Sequence, residues 1–253
     1  MLPLERRQEI VNLVNDSQGC SVEELASEFG VSETTIRRDL QELSEQNLIE
    51  RTRGGAMPTV SRGKDYDNRK IHNLEAKAAI GARAVEEIHQ EEIVIFDCGT
   101  TTFEIAKQVS TDQSFVPMTP MPLIGRELAQ KGFETHVTGG LYRPENYTAV
   151  GPWAEKFIQQ TNADLFFLGT DGIDTDGLTA RNVHQHRLKE LMIENAKRTV
   201  LVSDHTKFGD NHTFRFAELD AVDLFITDRE IPVDIREAFR SAGVDLVENT
   251  DSG

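Results

Sequence analysis

Ser32-Glu33-Thr34-Thr35-Ile36-Arg37-Arg38-Asp39-Leu40 decides how the N-terminal part of this 253-residue chain is read. A serine at position 32 suits a helix N-cap, because its hydroxyl can accept an otherwise unpaired amide of the first turn. Ile36, Leu40 and Leu43 then recur at helical spacing and make one apolar stripe. The opposite face carries Glu33, Thr34, Arg37, Arg38 and Gln41, with Thr35 at its edge.

Working upstream, Ser21-Val22-Glu23-Glu24 has the form of a capping box. A short helix with Val22, Leu25 and Phe29 inward follows, and Gly30 supplies the turn. An earlier helix carries Leu4, Ile10, Leu13 and Val14, with Pro3 in its first turn and Gly19 after its end. Helix, short glycine turn, helix is the helix-turn-helix pattern. Downstream, Leu48–Arg51 reads as a strand, Thr52–Gly55 as a tight turn and Ala56–Thr59 as the return. That hairpin is a wing with Arg51 and Arg53 at its tip. Residues 1–58 are therefore expected to form an α+β winged helix-turn-helix domain that binds double-stranded operator DNA. Arginine bonds guanine bidentately or phosphate, and threonine reads phosphate or a thymine methyl. The expected DNA-facing residues are Ser32, Thr34, Thr35, Arg37, Arg38, Gln41, Arg51 and Arg53. The plain alternative has Arg37 and Arg38 in surface ion pairs with Glu33, Asp39 or Glu42.

Charge argues the other way at first sight. The chain holds 43 acidic against 27 basic residues, a net charge of -16. An acid-rich, lysine-poor surface suits work in molar salt, where the Debye length is about 3 Å and repulsion from DNA is screened. The expectation is a halophilic protein whose few arginines touch the DNA. No apolar run approaches the ~20 residues needed to cross a bilayer, and no signal-peptide pattern opens the chain. Cys20 and Cys98 are far apart and without metal-ligand company, so buried reduced thiols in a cytoplasmic protein are expected, with no metal and no cofactor.

Residues 59–73 are polar and charged and read as a linker. From Leu74 onward, helices alternate with short apolar runs. Ile93–Phe96, Phe115–Met118, His136–Thr138, Leu165–Leu168, Val200–Ser203, Leu224–Thr227 and Val244–Val247 are the expected strands. Leu74–Ile88, Leu123–Gln130, Lys189–Lys197 and Val233–Ser241 are among the expected helices. Such alternation indicates a mostly parallel sheet covered on both faces, an α/β domain over residues 74–253. Ligands of these sheets bind at the carboxyl ends of strands, where Gly-rich and polar residues cluster here. Asp97, Gly99, Thr100, Thr101 and Thr102 follow one strand and could cradle an anion at a helix N-terminus. Gly139 and Gly140 follow another. Asp171 and Asp204 could accept sugar hydroxyls, while Lys189 and Lys207 could neutralise phosphate. A helix cap and ordinary loops remain the plain alternative for these segments.

Arg6-x3-Ile10-x3-Val14, the Ser32–Leu40 stretch and the wing Leu48–Ala56 together resemble the signature of the DeoR family of transcription regulators. So does the order Asp97-x-Gly99-Thr100-Thr101, Gly139-Gly140, Gly169-x-Asp171-Gly172-Ile173-Asp174, a helix with Lys189, and Asp204-His205-Thr206-Lys207-Phe208-Gly209. Within that family the likeness is to haloarchaeal repressors of sugar metabolism. The resemblance implies a sensor domain similar in fold to sugar-phosphate isomerases and CoA transferases. It implies a repressor of carbohydrate catabolism genes released from its operator by a phosphorylated sugar, acting as a homo-oligomer, dimer or tetramer. No catalytic residue is expected. The alternatives are an activator or dual regulator with a different ligand, and a sugar-phosphate isomerase-like enzyme using Asp204 and His205. Two departures from the family pattern, Met118–Pro122 and Gln185, bear on which sugar phosphate would fit, with His184, His186 and Arg187 beside Gln185.

Overall fold

The computed structural model describes residues 3–16, 19–45, 48–52, 54–58 and 65–248. The chain divides into two units, Met1–Lys64 and Asp65–Gly253.

In the first unit, α1 (Pro3–Asp16) is followed by β1 (Cys20–Ser21), α2 (Val22–Phe29), α3 (Glu33–Glu45), β2 (Ile49–Arg51) and β3 (Gly55–Pro58). The capping box at α2 is complete: Ser21 and Glu24 satisfy each other's amides, and Gly30 closes the helix. Ile10, Val14, Val22, Leu25, Ile36, Leu40, Leu43 and Ile49 form one buried core. Val11 is buried there while Leu13 is only half-buried, so the first helix turns a slightly different face inward than expected. The wing is more than a hairpin. β1 pairs with β3 to give a three-stranded sheet in the order β1-β3-β2. A Cβ at Gly55 would stand 2.0 Å from the Cys20 carbonyl oxygen, so only glycine lets these backbones meet. A two-residue strand carries no periodicity, which is why sequence reading passes over β1. Cys20 is half-buried rather than buried.

The second unit opens with α4 (Asp65–Ile71), inside the segment expected to be a linker. Residues 59–64 of that expected linker lie outside the described residues. Tyr66 of α4 is buried in the core. The remaining elements are α5 (Leu74–Val85), β4 (Glu92–Phe96), α6 (Thr100–Gln108), β5 (Phe115–Thr119), α7 (Pro122–Gln130), β6 (His136–Val137), β7 (Leu141–Arg143), β8 (Thr148–Val150), α8 (Pro152–Gln159), β9 (Leu165–Leu168), β10 (Gly172–Asp174), β11 (Gly177–Ala180), α9 (Val183–Glu194), β12 (Thr199–Val202), β13 (Phe214–Ala217), β14 (Leu224–Ile226), α10 (Val233–Ser241) and β15 (Asp245–Val247).

All seven expected strands enter one sheet, in the order β15-β14-β12-β9-β4-β5-β6, and every pairing is parallel. Alternate residues serve opposite faces. Val94, Phe96, Leu165, Phe167, Val200 and Val202 enter the core that includes Ile80, Ile105 and Ile124. Ile95, Phe166, Leu168, Leu201 and Phe225 enter the one that includes Ile158, Leu191 and Phe239. Burial on both sides explains why these strands read as unbroken apolar runs. The small sheet β10-β11-β13 and the hairpin β7-β8 were not expected. Helix α9 starts at Val183, well before the expected Lys189, because its polar first turns hid it.

The strand order reverses between β4 and β9. The chain runs from β4 outward to β5 and β6, then returns to add β9, β12, β14 and β15 on the other side. In open parallel sheets, ligands bind at such a switch point, at the carboxyl ends of the central strands.

Candidate functional sites: a recognition helix and a strand-end ion cluster

On α3 the Ser32 hydroxyl caps the helix, accepting the Thr35 amide at 3.2 Å and sitting 2.9 Å from the Thr35 hydroxyl. Thr34, Arg37, Arg38 and Gln41 are exposed and Thr35 half-buried. Arg37 meets Glu33 at 2.6 Å and Arg38 meets Glu42 at 3.5 Å, yet the two arginine side chains stay 57% and 82% exposed. Ion pairs that open to water contribute little and exchange readily for phosphate or a base edge. The ion pairs of the plain alternative are therefore formed, and the arginines stay accessible beside them. Arg51 of the wing donates to the Gln41 side chain, tying wing to helix. Arg53 lies outside the described residues.

Asp39 behaves differently. It is buried, and takes the Arg6 guanidinium at 2.7 Å and the Arg7 guanidinium at 3.0 Å. It locks α1 against α3 and so fixes the presentation of the exposed face. A cleft lined by Pro3, Arg6, Arg7, Thr34, Thr35, Arg38 and Asp39 runs along that seam.

At the switch point Asp97, the first residue after β4, is fully buried. Its carboxylate accepts the Cys98 amide at 2.7 Å and the Gly169 amide at 3.0 Å, and pairs with the Lys189 ammonium. Lys189 also donates to the Gly169 carbonyl at 2.7 Å. Burial alone would push the Lys189 ammonium down. Asp97, followed by Cys98, outweighs it and holds Lys189 above the usual lysine value. Strand ends β4 and β9 and helix α9 are thereby joined through one ion pair. The Cys98 thiol, buried and next to Asp97, is pushed up to about 12 and is inert.

Asp171, following β9, meets Arg69 of α4 at 3.0 Å and accepts the Arg181 amide at 3.1 Å. Burial raises its carboxyl, but Arg69 and then the Arg181 amide bring it below the ordinary range. Asp204, following β12, accepts from the Thr206 amide, the Thr206 hydroxyl and Asn73. Burial raises this carboxyl as well, and the Thr206 hydroxyl, Lys207 and Lys77 pull it down. Lys77 of α5 is buried and donates to the carbonyls of Arg69 and His72, at the end of α4. Burial lowers its ammonium to about 8. Lys207 is half-buried; its amide donates to the Asp204 carbonyl at 3.2 Å, and its ammonium makes no hydrogen bond or ion pair among the described residues.

The structure therefore brings Asp97, Asp171, Lys189, Asp204 and Lys207 to one end of the sheet, but gives four of them other work. Lys189 is engaged by Asp97, and the two other aspartates are engaged by Arg69, Asn73 and Thr206. Thr102 is fully buried and its hydroxyl returns to the carbonyls of Asp97 and Gly99 at 2.9 and 3.1 Å, so it builds the turn. Thr100 is buried and Thr101 half-buried in the first turn of α6, behind Gly99. Gly139 and Gly140 follow the edge strand β6 and are exposed. Gly140, at φ +113°, has the Val150 carbonyl oxygen 2.6 Å from where a Cβ would stand, so it serves chain packing.

Arg69 and Asn73 were missed in sequence because a short polar helix looks like a linker, and Lys77 because it sits in a helix away from the strand ends. The one available signal was the spacing of 69, 73 and 77, four residues apart. Gln185 is buried with its amide 3.5 Å from the Cys98 sulfur, while His186 turns to the Arg215 carbonyl and Arg187 to Glu190. In the Met118–Pro122 segment Met121 is buried and the Pro120 carbonyl takes the Ala149 amide at 2.7 Å. His205 pairs with Asp228 at 2.6 Å, not with Asp204, so the acid–base pair imagined for an enzyme is not formed. Among the described residues no cluster of His, Cys, Asp or Glu could hold a metal ion.

Residues 6–61 match the model of the DeoR-like helix-turn-helix domain, and residues 72–229 that of the DeoR C-terminal sensor domain. The chain is 47% identical to the HTH-type transcriptional regulator GlpR of Haloferax volcanii, over 98% of both chains. It is 34% identical to the glycerol-3-phosphate regulon repressor of Escherichia coli, over 97% of this chain and 99% of that one. Ribose 5-phosphate isomerase A from Neisseria gonorrhoeae superposes on 53% of each chain at 12% identity, with a TM-score of 0.41. With a recognition helix in one unit, a strand-end site in the other and both family models matched, the chain belongs to the DeoR family of transcriptional regulators and is not an enzyme.

Proposed function

We propose that this protein is a transcriptional repressor of carbohydrate catabolism genes, released from its operator when a phosphorylated sugar binds at the sheet's switch point. The observation that carries the reading is the charge of the strand-end cluster. Arg69, Lys77, Arg181, Lys189 and Lys207 face Asp97, Asp171 and Asp204, five cationic groups against three carboxylates. Glu104, which also faces Lys77, has its own partner in Lys107 at 2.7 Å. A partly buried site with surplus positive charge favours the entry of an anion. Lys207, whose ammonium has no hydrogen-bond or ion-pair partner among the described residues, is the group poised to meet that anion. The name of the Escherichia coli relative, a glycerol-3-phosphate regulon repressor, supports the same ligand class. On the DNA side, α3 supplies Thr34, Arg37 and Arg38 to the major groove, and Arg51 and Arg53 reach the backbone from the wing. A symmetric operator calls for a homo-oligomer, a dimer or tetramer. The acid-rich surface supports function in high salt. No described helix is long and apolar enough to cross a membrane.

Lys207→Ala tests the reading. Operator binding measured by mobility shift should be unchanged, and release by glycerol 3-phosphate or fructose 1-phosphate should be lost. Release at the wild-type concentration of whichever compound acts on the unmodified protein overturns the assignment.

A further inference from the structure

Several buried side-chain atoms of the second unit have no hydrogen-bond partner among the described residues, and they gather in one place. Tyr66 Oη lies in the first turn of α4, and Glu145 Oε2 and Asn146 Oδ1 lie in the turn between β7 and β8. Tyr66 is 1% exposed and Asn146 9%. The two segments are joined: the Tyr66 amide donates to the Glu145 carbonyl, the Tyr66 and Tyr147 rings meet edge-on at 5.2 Å, and the Tyr147 hydroxyl donates to Asp67 at 3.0 Å. A buried polar atom left unpaired costs free energy that folding does not recover, so a group of them in one spot calls for an occupant.

The spot adjoins the strand-end cluster. Tyr66 is one turn before Arg69 on α4, hence on the same face of the helix, and Arg69 reaches Asp171. From the other side, Thr148 follows the turn, is fully buried, and places its hydroxyl against the thiol of Cys98, the neighbour of Asp97. The chemistry differs from that of the cluster. A phenol, an amide carbonyl and a carboxylate suit the hydroxyls of a polyol, with charges of both signs about them: Glu104, Arg69 and Asp67 face Tyr66, and Arg143, whose Nε is buried, precedes the turn. Burial, then the charge of Glu104, pushes the Tyr66 phenol up, so it keeps its proton and can donate.

We propose that Tyr66, Glu145 and Asn146 form a second part of the effector site that reads the hydroxyls of the sugar, while Lys77, Arg69 and Lys207 hold its phosphate. This rests on the effector reading above and adds an orientation to it: the phosphate end toward β9 and β12, the polyol end toward α4 and the β7–β8 turn. Tyr66 and Asn146 are then specificity-determining residues. A ligand lacking hydroxyls leaves their atoms unpaired, as they are without ligand, and gains nothing from them.

Calorimetric titration of the full chain compares glycerol 3-phosphate with propyl phosphate, which has the same carbon skeleton without the hydroxyls. Wild-type protein should favour glycerol 3-phosphate, and Tyr66→Phe, which keeps the buried ring, should reduce its affinity about threefold to tenfold. Propyl phosphate binding should stay as it was, so the preference narrows. Asn146→Ala should do the same, and carries the test independently if Tyr66→Phe fails to fold. Unchanged preference in both variants, or equal loss for both ligands, overturns the hydroxyl site and leaves the effector reading intact. Absence of any sugar phosphate binding to wild-type protein, with fructose 1-phosphate also tried, overturns both.

Discussion

The two units hold their functional arginines and lysines in opposite ways. On α3 the two arginines proposed to face DNA are exposed, and each is paired with a neighbour one helical turn away. At the switch point the charged groups are buried and paired across the fold: Lys189 with Asp97 92 positions away, Arg69 with Asp171 102 positions away. A partner one turn away on an open surface is cheap to exchange, because water screens the loss. A partner in the interior cannot be exchanged unless another charge replaces it. The first arrangement suits a surface that must meet DNA directly. The second suits a sensor, in which an entering anion has to re-partner groups that already hold strands and helices together.

The sharpest way to break this contrast is to remove one charge from each kind of pair. Lys189→Ala leaves Asp97 buried and unneutralised, and should destabilise the second unit by about 3–5 kcal/mol in urea unfolding. Replacing both partners, Lys189→Met with Asp97→Asn, should cost less than the single change. A single variant as stable as wild type would mean that Asp97 is reached by water and that the pair is not buried as described.

Arg37→Ala and Arg38→Ala should behave in the opposite sense. Stability should stay within about 0.5 kcal/mol of wild type, as for other surface substitutions. Operator affinity should fall by about 1–3 kcal/mol for each arginine that makes a bidentate base contact, with sugar phosphate binding unaffected. Wild-type operator affinity in the double variant would remove α3 from the interface.

The smallest effect concerns pH and Lys77, whose neighbours are Asp204, Lys207, Arg69 and Glu104. Its ammonium titrates at about 8 in the folded chain against 10.5 for the ordinary group. Between those values the unfolded chain binds the proton and the folded chain does not, so Lys77 makes stability rise with pH across that window. Phosphate binding needs the ammonium, so effector affinity should fall by up to about tenfold per pH unit above pH 8 if Lys77 contacts the anion. Calorimetry and thermal melts between pH 7 and pH 10, a range set by those two titration values, should show opposite slopes. Parallel slopes would place Lys77 outside the phosphate contact and leave it as a cap on α4.

Sequence by itself determined whatever depends on near neighbours. The 3.6-residue period placed α2 and α3 and their outward faces, and the Ser21–Glu24 box fixed where α2 begins. Seven apolar runs specified seven sheet strands, since both faces of a parallel sheet must be apolar. Strand-end residues such as Asp97, Asp171 and Asp204 were legible for the same reason, because each follows such a run within three residues. Tertiary structure alone decided which of these residues are free. Lys189 and Lys207 look alike in sequence, and only the fold sets one against Asp97 and leaves the other open. It also made α4 from a stretch that reads as linker. Seven residues with little apolar pattern are too few to nucleate a helix on their own; α4 holds because Tyr66 is buried against Tyr147, Arg69 reaches Asp171 and Lys77 caps the last carbonyls. Those partners lie from 5 to 102 positions away in the chain, and the long separations are ones that no local pattern can encode.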